Sequence, residues 1–235
     1  MRFYNRRFHI RQSAGDGISV ASMHYYDIHT HNKSQSPSVT SILNVIPGQA
    51  VPESFFSAGI HPWYAESTSV EDLRKYGSNP HCVAIGECGL DAVKSSIPFD
   101  EQKILFRAHL ELALQYSKPV VLHVVRSTNE LFQILKEFPE LVYIWHGFNE
   151  NKETFRQFER FDMYFSCGQR GLRKPEIWRS VPAERLLCET DEAIAQIDEI
   201  YSALAAIRNE SIEDLAGIIQ QNVIRIFGNE LEGKD

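Results

Sequence analysis

The sequence predicts an α/β fold, a TIM-like (β/α)8 barrel that is abbreviated around strands 1 to 3. Three observations lead to this prediction. The chain of 235 residues is long enough to bury one sizeable core. Short β-branched and aromatic runs alternate with helical segments, which is typical of repeated βα units around a parallel sheet. Eight such runs occur, and eight parallel strands favour a closed barrel over an open sheet.

The predicted strands are short runs that end near polar residues. They span residues 25–29, 39–46, 55–60, 82–87, 119–125, 142–146, 163–167 and 186–189. The clearest predicted helix covers residues 102–116, because Leu105, Ala108 and Leu112 share one face and Pro119 stops the helix. The sequence thus supplies both partners of a βα unit in this part of the chain.

Two further helices are predicted from the residues that begin them. Ser127 with Glu130 has the spacing of a capping box, and Ser211 with Asp214 repeats that spacing. Apolar residues follow both at helical spacing. The stretches that join strands 1 to 3 contain proline and glycine and no helical period, so the barrel is predicted to be abbreviated there.

We expect two regions in the chain. Residues 1–22 carry four arginines and no strand or helix period, so they are predicted to be a flexible extension, with Met23 as an alternative start of translation. Residues 23–235 are predicted to form the barrel. The first residues lack the apolar region and cleavage site of a secretory signal, and the cytoplasm is therefore the expected location.

Composition limits the possible partners. The apolar runs are strand-sized, far short of the roughly 20 residues needed to cross a bilayer, so no membrane partner is expected. The four cysteines lie in apolar runs without a C-x-x-C pair, which predicts reduced core thiols. A net charge of −7 argues against a broad basic surface for long duplex nucleic acid. A small or local anionic substrate fits this charge, and no obligatory protein partner is evident.

Ionisable residues stand at the ends of several predicted strands. His29 and His31 are two apart, and residues two apart on a strand point to the same face. The carboxyl ends of the other strands carry Glu87, His123, His146 and Asp191. In (β/α) barrels these ends converge on the face where active sites are built. We therefore predict that four histidines and two carboxylates surround one small volume.

The predicted cluster has the composition of a metal site. Imidazole with carboxylate suits Zn²⁺, Mn²⁺ and other first-row ions better than Ca²⁺, and carboxylates also admit Mg²⁺. Buried ionisable groups without a partner are costly, and bound metal would supply that partner.

The same residues carry a family resemblance. From about Tyr25 to Phe227 the chain resembles TatD-type metal-dependent hydrolases through D-I-H-T-H, A-G-I-H-P, A-I-G-E-C-G-L-D, K-P-V-V-L-H, H-G-F, L-L-C-E-T-D and N-V-I-R-I-F. The resemblance implies two divalent ions held by His29, His31, Glu87, His123, His146 and Asp191, with Glu87 bridging. It also implies phosphodiester hydrolysis, often as a deoxyribonuclease acting on DNA ends or single strands.

The resemblance also implies roles in catalysis and substrate binding. Asp191 would ligate one ion and act as general base, and Glu87 would be the second catalytic carboxylate. His61, in G-I-H-P, would contact substrate near the scissile phosphate rather than ligate metal; a packing role beside Pro62 and Trp63 is the alternative. Asp91 is equally compatible with orienting a ligand histidine and with capping a helix.

Three arginines are candidate substrate contacts. Arg126 follows His123 one residue later than in the usual family spacing. Arg170 and Arg173 follow strand 7, where barrels of this kind often bind phosphate, although a solvated charge cluster is the alternative.

The chain also departs from the family after Asp191. The R-N-x-P element that usually follows is replaced by residues 192–195, E-A-I-A. This difference supports a second function, hydrolysis of an amide, ester or lactone in a small molecule, because the same ions could activate water against a carbonyl. A binding protein without activity is disfavoured, since every expected ligand is present.

Overall fold

The computed structural model describes residues 23–67 and 69–231. The predicted extension, residues 1–22, lies outside the described residues and stays a prediction. Eight strands form one sheet in the order β1 to β8, and each strand pairs in parallel with the next. The strands are β1 (Tyr25–Thr30), β2 (Val39–Val45), β3 (Phe56–Ala58), β4 (Cys82–Asp91), β5 (Val120–Val125), β6 (Tyr143–Trp145), β7 (Met163–Cys167) and β8 (Leu186–Cys188).

The sheet closes on itself beside β1. Thr30 and Asp191 form a parallel bridge, in which the Asp191 N–H donates to the His29 carbonyl at 2.9 Å. The His31 N–H donates in turn to the Asp191 carbonyl at 3.1 Å. The predicted fold class is therefore confirmed, and the seam of the barrel lies at the residues that the sequence marks as functional.

The helices alternate with the later strands. They are α1 (Arg74–Gly77), α2 (Phe99–Tyr116), α3 (Thr128–Leu135), α4 (Lys152–Phe158), α5 (Pro175–Trp178), α6 (Ile197–Arg208) and α7 (Ile212–Phe227). Short 3-10 helices occupy Pro62–Ser67, Val70–Leu73, Gly171–Arg173, Ala183–Arg185 and Gly228–Leu231. The connections from β1 to β2 and from β2 to β3, residues 31–38 and 46–55, contain no helix.

Strand β4 is longer than predicted because it keeps pairing beyond Glu87. Gly89 pairs with His123, and Asp91 pairs with Val125 of β5. A Cβ on Gly89, whose φ is +151°, would collide with the carbonyl oxygen of His123, so this close approach of the two strands requires glycine. The extension brings the Asp91 side chain within reach of the His123 ring.

One predicted cap is wrong and another is confirmed. Ser127 precedes α3, but its side chain makes no cap and donates instead to the Leu90 carbonyl at 2.9 Å. The buried Ser127 hydroxyl thus satisfies a strand carbonyl of β4 rather than the helix. Ser211 accepts from the Asp214 N–H at 3.0 Å and caps α7 as predicted.

The barrel interior and the layer beneath the helices form one hydrophobic core. Its large buried side chains include Trp145, Phe148 and Trp178, and Trp145 packs edge-to-face on Phe158 of α4.

All four cysteines are buried and free, as expected for core thiols. Within the described residues, no helix combines the length and apolarity that crossing a bilayer requires.

Candidate metal centre

The structure brings the six predicted ligands to one end of the barrel. His29, Glu87 and His123 lie on β1, β4 and β5, His146 directly follows β6, and Asp191 lies three residues beyond the end of β8. His31 lies just beyond β1. Parallel strands deliver their carboxyl ends to the same face, and for this reason residues from five strands of the sheet meet there.

Glu87 lies at the centre of this cluster. Its Oε1 is 2.7 Å from His123 Nδ1 and 2.8 Å from His146 Nε2. Its other oxygen, Oε2, is 3.4 Å from His29 Nε2. The carboxylate is almost fully buried. Oε1 therefore faces His123 and His146, whereas Oε2 faces His29.

The charge of Glu87 is stabilised by its neighbours. Burial by itself would raise its pKa, but the imidazoles of His146, His123 and His29 bring the pKa well below its usual range. Burial lowers the pKa of His146, yet Glu87 and Glu189 raise it well above the ordinary value. Burial also lowers the pKa of His123, yet Asp91 and Glu87 raise it above its ordinary value. Positive charge at the imidazoles offsets the buried carboxylate, a role that bound cations could also fill.

Asp191 occupies the seam of the barrel. Its Oδ1 lies 3.6 Å from His31 Nε2 and 3.8 Å from His29 Nε2. Its backbone has a positive φ of 56°, a conformation that costs energy for residues other than glycine. Its side chain remains about one-third exposed, in contrast to Glu87. Asp191 can therefore meet both the histidines and a substrate.

The donor atoms fit a divalent metal. His29 is fully buried, and neither of its ring nitrogens has a hydrogen-bond partner among the described residues. Buried polar atoms without partners are rare, and a metal ion would satisfy them. Three sets of donor atoms could each hold an ion, because the atoms within a set lie within 4.8 Å of one another. The sets are His29 with His146 and Asp191, His29 with His31 and Glu87, and His61 with Glu87 and His123.

Two carboxylates lie behind the predicted ligand histidines. Asp91 Oδ2 lies 3.2 Å from His123 Nε2, which leaves His123 Nδ1 directed at Glu87. Glu189 Oε1 lies 3.4 Å from His146 Nδ1, which leaves His146 Nε2 directed at Glu87. Metal-ligating histidines commonly have such a carboxylate behind them. Of the two roles considered for Asp91, orientation of a histidine is the one observed, since α2 begins only at Phe99.

Asn44 of β2 is a site residue that the sequence did not reveal. Its Nδ2 donates to Glu87 Oε2 at 3.3 Å, and its Oδ1 accepts from the Glu87 N–H at 3.0 Å. Asn44 thus fixes both the backbone and the side chain of Glu87. A lone asparagine inside an apolar strand is the signal that could have identified it. Glu189 had a weaker signal, the acidic residue directly after β8.

Asp27 begins the D-I-H-T-H motif and supports the seam. It is buried and accepts from the Thr190 N–H at 2.9 Å and from the Thr190 hydroxyl at 2.6 Å. Burial raises its pKa to about 7, although the two bonds from Thr190 act in the opposite direction. The pair ties β1 to the residue that precedes Asp191.

His61 lies inside the cluster, but its hydrogen bonds distinguish it from the ligands. Its Nε2 is 3.2 Å from Glu87 Oε1. Its Nδ1 accepts from the Trp63 N–H at 3.1 Å, so the neutral ring carries its proton on Nε2. Burial lowers the His61 pKa, which favours this neutral form. A protonated Nε2 is a hydrogen-bond donor rather than a metal ligand.

The three candidate arginines occupy different positions. A cleft of about 420 Å³ opens beside His123, His146 and Asp191, and Arg170 lines it. Arg126 and Arg173 are exposed and are not among the residues that line this cleft. The structure therefore brings Arg170, and not the other two, next to the predicted metal ligands.

Comparison with known proteins gives the family context. The profile of the family described as TatD related DNase matches residues 29–228. A 3'-5' ssDNA/RNA exonuclease TatD from Pantoea sp. (strain At-9b) is 30% identical over 201 residues, which cover 73% of this chain and 76% of the relative. An uncharacterized metal-dependent hydrolase from Buchnera aphidicola subsp. Baizongia pistaciae (strain Bp) is 28% identical over 245 residues, 87% of this chain and 92% of the relative.

A solved structure has the same fold. The crystal structure of YJJV, a TatD homologue from Escherichia coli k12, matches with a TM-score of 0.72 and 21% sequence identity. The match covers 86% of this chain and 97% of that chain.

Proposed function

Because this chain belongs to the TatD related DNase family of metal-dependent hydrolases, we propose that it is a two-metal phosphodiesterase, acting as an exonuclease-like deoxyribonuclease. The observation that carries the proposal is the position of the Glu87 carboxylate, whose Oε1 faces His123 and His146 while its Oε2 faces His29. A carboxylate with such donors beside both of its oxygens can contact two cations at once.

We assign one divalent ion, Zn²⁺, Mn²⁺ or Mg²⁺, to each side of Glu87. His123 and His146 would hold one ion with Glu87 Oε1. His29 and His31 would hold the other with Glu87 Oε2, and Asp191 would contribute from the seam. When bound, such ions lower the pKa of water and stabilise charge that develops on phosphate oxygens. The orienting contacts from Asp91 and Glu189 keep the ligand nitrogens directed inward.

Asp191 is the proposed general base. Its side chain lines the cleft and is about one-third exposed, and its Oδ1 lies near both His29 and His31. It would take the proton from the attacking water, a contribution typically worth about 10² to 10⁴ in rate. Glu87 is too buried, and too closely surrounded by imidazoles, to exchange that proton with solvent.

His61 and Arg170 are the proposed contacts to the phosphate. The Nε2–H of His61 would donate to a phosphate oxygen beside Glu87, which agrees with its hydrogen bond from Trp63. Arg170, which lines the cleft with His123 and His146, would pair with a phosphate oxygen. Arg126 and Arg173 do not line the cleft and would contact only a longer strand, through charge.

The proposal is tested by turnover under metal supplementation. Purified protein is incubated with end-labelled single-stranded DNA and with a chromogenic phosphodiester, in Mn²⁺, Mg²⁺ or Zn²⁺ and in chelator. We expect hydrolysis of both substrates with metal and none in chelator. Activity that resists chelator, or failure to hydrolyse either phosphodiester with any of the metals, would contradict the proposal.

A second function has one observation in its favour. Residues 192–194 line the cleft in the segment where the R-N-x-P element is missing, and Ile194 is 95% exposed there. An apolar wall suits a small ester, amide or lactone better than a phosphate chain. Assaying aryl esters and lactones beside the phosphodiesters separates the two functions, because only one substrate class should respond to added metal.

A further inference from the structure

We propose that Tyr64 and Lys94 form a nucleotide-binding subsite beside the metal centre, in which an unpaired base stacks on the Tyr64 ring and Lys94 pairs with the neighbouring phosphate. This inference rests on the proposed phosphodiesterase activity and specifies its substrate as the end of a single strand. The subsite is built on the 3-10 helix Pro62–Ser67, which directly follows His61.

The Tyr64 ring is exposed next to a buried catalytic cluster. Its side chain belongs to a residue that is 53% exposed, although large aromatic side chains usually bury most of their surface. Its ring centroid lies 5.9 Å from that of His61, and His61 Nε2 lies 3.2 Å from Glu87 Oε1. A base on this ring would therefore lie one side chain away from the proposed metal ligands.

The backbone at Tyr64 turns out of the helix. Its φ and ψ are −125° and 22°, whereas its neighbours in Pro62–Ser67 keep helical values. The turns on either side are held by hydrogen bonds to the β4–α2 connection. Ser95 and Ser96 hydroxyls donate to the Pro62 carbonyl at 3.0 and 3.2 Å, and the Ala65 N–H donates to Ser96 Oγ at 3.0 Å. The ring is thus presented by a fixed support, which reduces the entropy that binding would cost.

Lys94 provides a cation at the same place. Its Nζ lies 3.5 Å from the ring centroid of Trp63, and Trp63 is tied to Asp91 by a 2.7 Å hydrogen bond from its Nε1. Lys94 is exposed, and its backbone N–H is held by Asp91 Oδ1 at 2.8 Å. In a chain of net charge −7, this ammonium adds positive charge beside Trp63, whose ring centroid lies 6.5 Å from that of Tyr64.

An aromatic face with an adjacent cation selects single-stranded nucleic acid. Proteins that bind single strands combine stacking rings with positive charge along the backbone, and every base offers a face for stacking. Bases inside a duplex are already stacked on their neighbours and cannot lie on a protein ring unless they are extruded. A single exposed tyrosine beside one lysine therefore fits an unpaired base and its phosphate.

The first test measures binding rather than turnover. A fluorescein-labelled oligothymidylate is titrated with metal-loaded protein carrying Asp191→Asn, so that the strand stays intact, and anisotropy gives Kd. Tyr64→Leu in this background should raise Kd by roughly 5- to 150-fold, the worth of one stacked base, and Tyr64→Phe should restore most of the loss. Lys94→Gln should weaken binding and reduce the slope of log K against log salt by about 0.7.

The matched control is Leu114→Ala, which removes a partly exposed apolar side chain near the C-terminal end of α2. It should leave Kd unchanged. An oligonucleotide with an abasic unit, placed in turn at the terminal and at the penultimate position, completes a double-mutant cycle. At one of these positions the Tyr64→Leu penalty should disappear, because the base that stacks is missing.

Three results would overturn the subsite. The first is a Kd for Tyr64→Leu equal to that of the background protein, and the second is no binding by the background protein itself. The third is a penalty that persists at both abasic positions, since Tyr64 would then act on His61 rather than on a base. Failure of the proposed activity is seen separately, as an absence of chromogenic phosphodiester hydrolysis by the unsubstituted protein.

Discussion

Asp91→Asn is a direct test of how the metal centre is organised. The four hydrogen bonds of the Asp91 carboxylate divide evenly between its oxygens. Oδ1 accepts from the backbone N–H groups of Val93 and Lys94, both at 2.8 Å. Oδ2 accepts from Trp63 Nε1 at 2.7 Å and faces His123 Nε2 at 3.2 Å. An asparagine has one oxygen for these four donors.

The magnitude follows from where the amide nitrogen must lie. The asparagine oxygen can keep the two backbone donors, but its NH₂ group then meets the N–H groups of Trp63 and His123. Two bonds to a charged acceptor are lost, each worth about 1.5 to 3 kcal/mol, and the His123 donor remains buried. We expect a loss of at least about 3 kcal/mol in the free energy of unfolding, or ~6–12 °C in Tm for a chain of this size.

Metal affinity should fall for the same reason. Without an acceptor at Nε2, His123 loses its preference for the tautomer that directs a lone pair on Nδ1 toward Glu87. Removal of such a partner typically weakens metal binding by roughly 10- to 100-fold. Melting is followed by circular dichroism on chelator-treated protein, and Mn²⁺ affinity by isothermal titration calorimetry.

The matched control is Asp100→Asn, since Asp100 is an exposed carboxylate in the first turn of α2. Its effect should stay within about 0.5 kcal/mol, and Mn²⁺ affinity should not change. An Asp91→Asn protein with the melting temperature and Mn²⁺ affinity of the unsubstituted chain would refute the argument, because the acceptor would then contribute nothing to either property.

Three further predictions concern catalysis, pH and the beginning of the chain. Glu87→Ala should lose bound metal by elemental analysis, whereas Asp191→Asn should retain much of it while kcat on a phosphodiester falls by roughly 10² to 10⁴. The free energy of unfolding of the chelated protein should contain a component that decreases from pH 4 to pH 7, because the raised pKa of Asp27, about 7, makes the folded state bind the proton more tightly. Asp27→Asn should remove this component, up to about 4 kcal/mol, in denaturant titrations at each pH. A chain that begins at Met23 should fold and melt like the full chain.

Each of these predictions has an outcome that would contradict it. Turnover near that of the unsubstituted chain in Asp191→Asn would remove this carboxylate from the reaction. A stability profile with the same decrease between pH 4 and pH 7 in Asp27→Asn would assign it to other groups. A drop of more than a few degrees in the melting temperature of the chain beginning at Met23 would mean that residues 1–22 contribute to the folded state.

The repeated strands and their ends could be predicted from the sequence because both depend on local patterns. A strand such as Met163–Cys167 is a run of aromatic, small and sulfur-containing residues, and its predicted bounds agree with the structure. The ionisable residues at strand ends follow from the same pattern, since parallel strands deliver their carboxyl ends to one face. Where local patterns compete, the prediction was less accurate; Ser127 has the spacing of a cap but bonds to Leu90 on the neighbouring strand β4.

The sequence by itself determined the barrel and the six candidate ligands, because a spacing of two along a strand and parallel topology place those side chains on one face of the barrel. It also determined the family, through the seven motifs that carry the resemblance. Only the tertiary structure decided how the ligands are held. Asn44 contacts Glu87 from another strand, and Asp91 meets His123 across the sheet. The tautomer of His61 likewise depends on a backbone N–H in the following turn. Such hydrogen bonds depend on distances between residues far apart in sequence or on the shape of one turn, and neither quantity leaves a periodic trace in the chain.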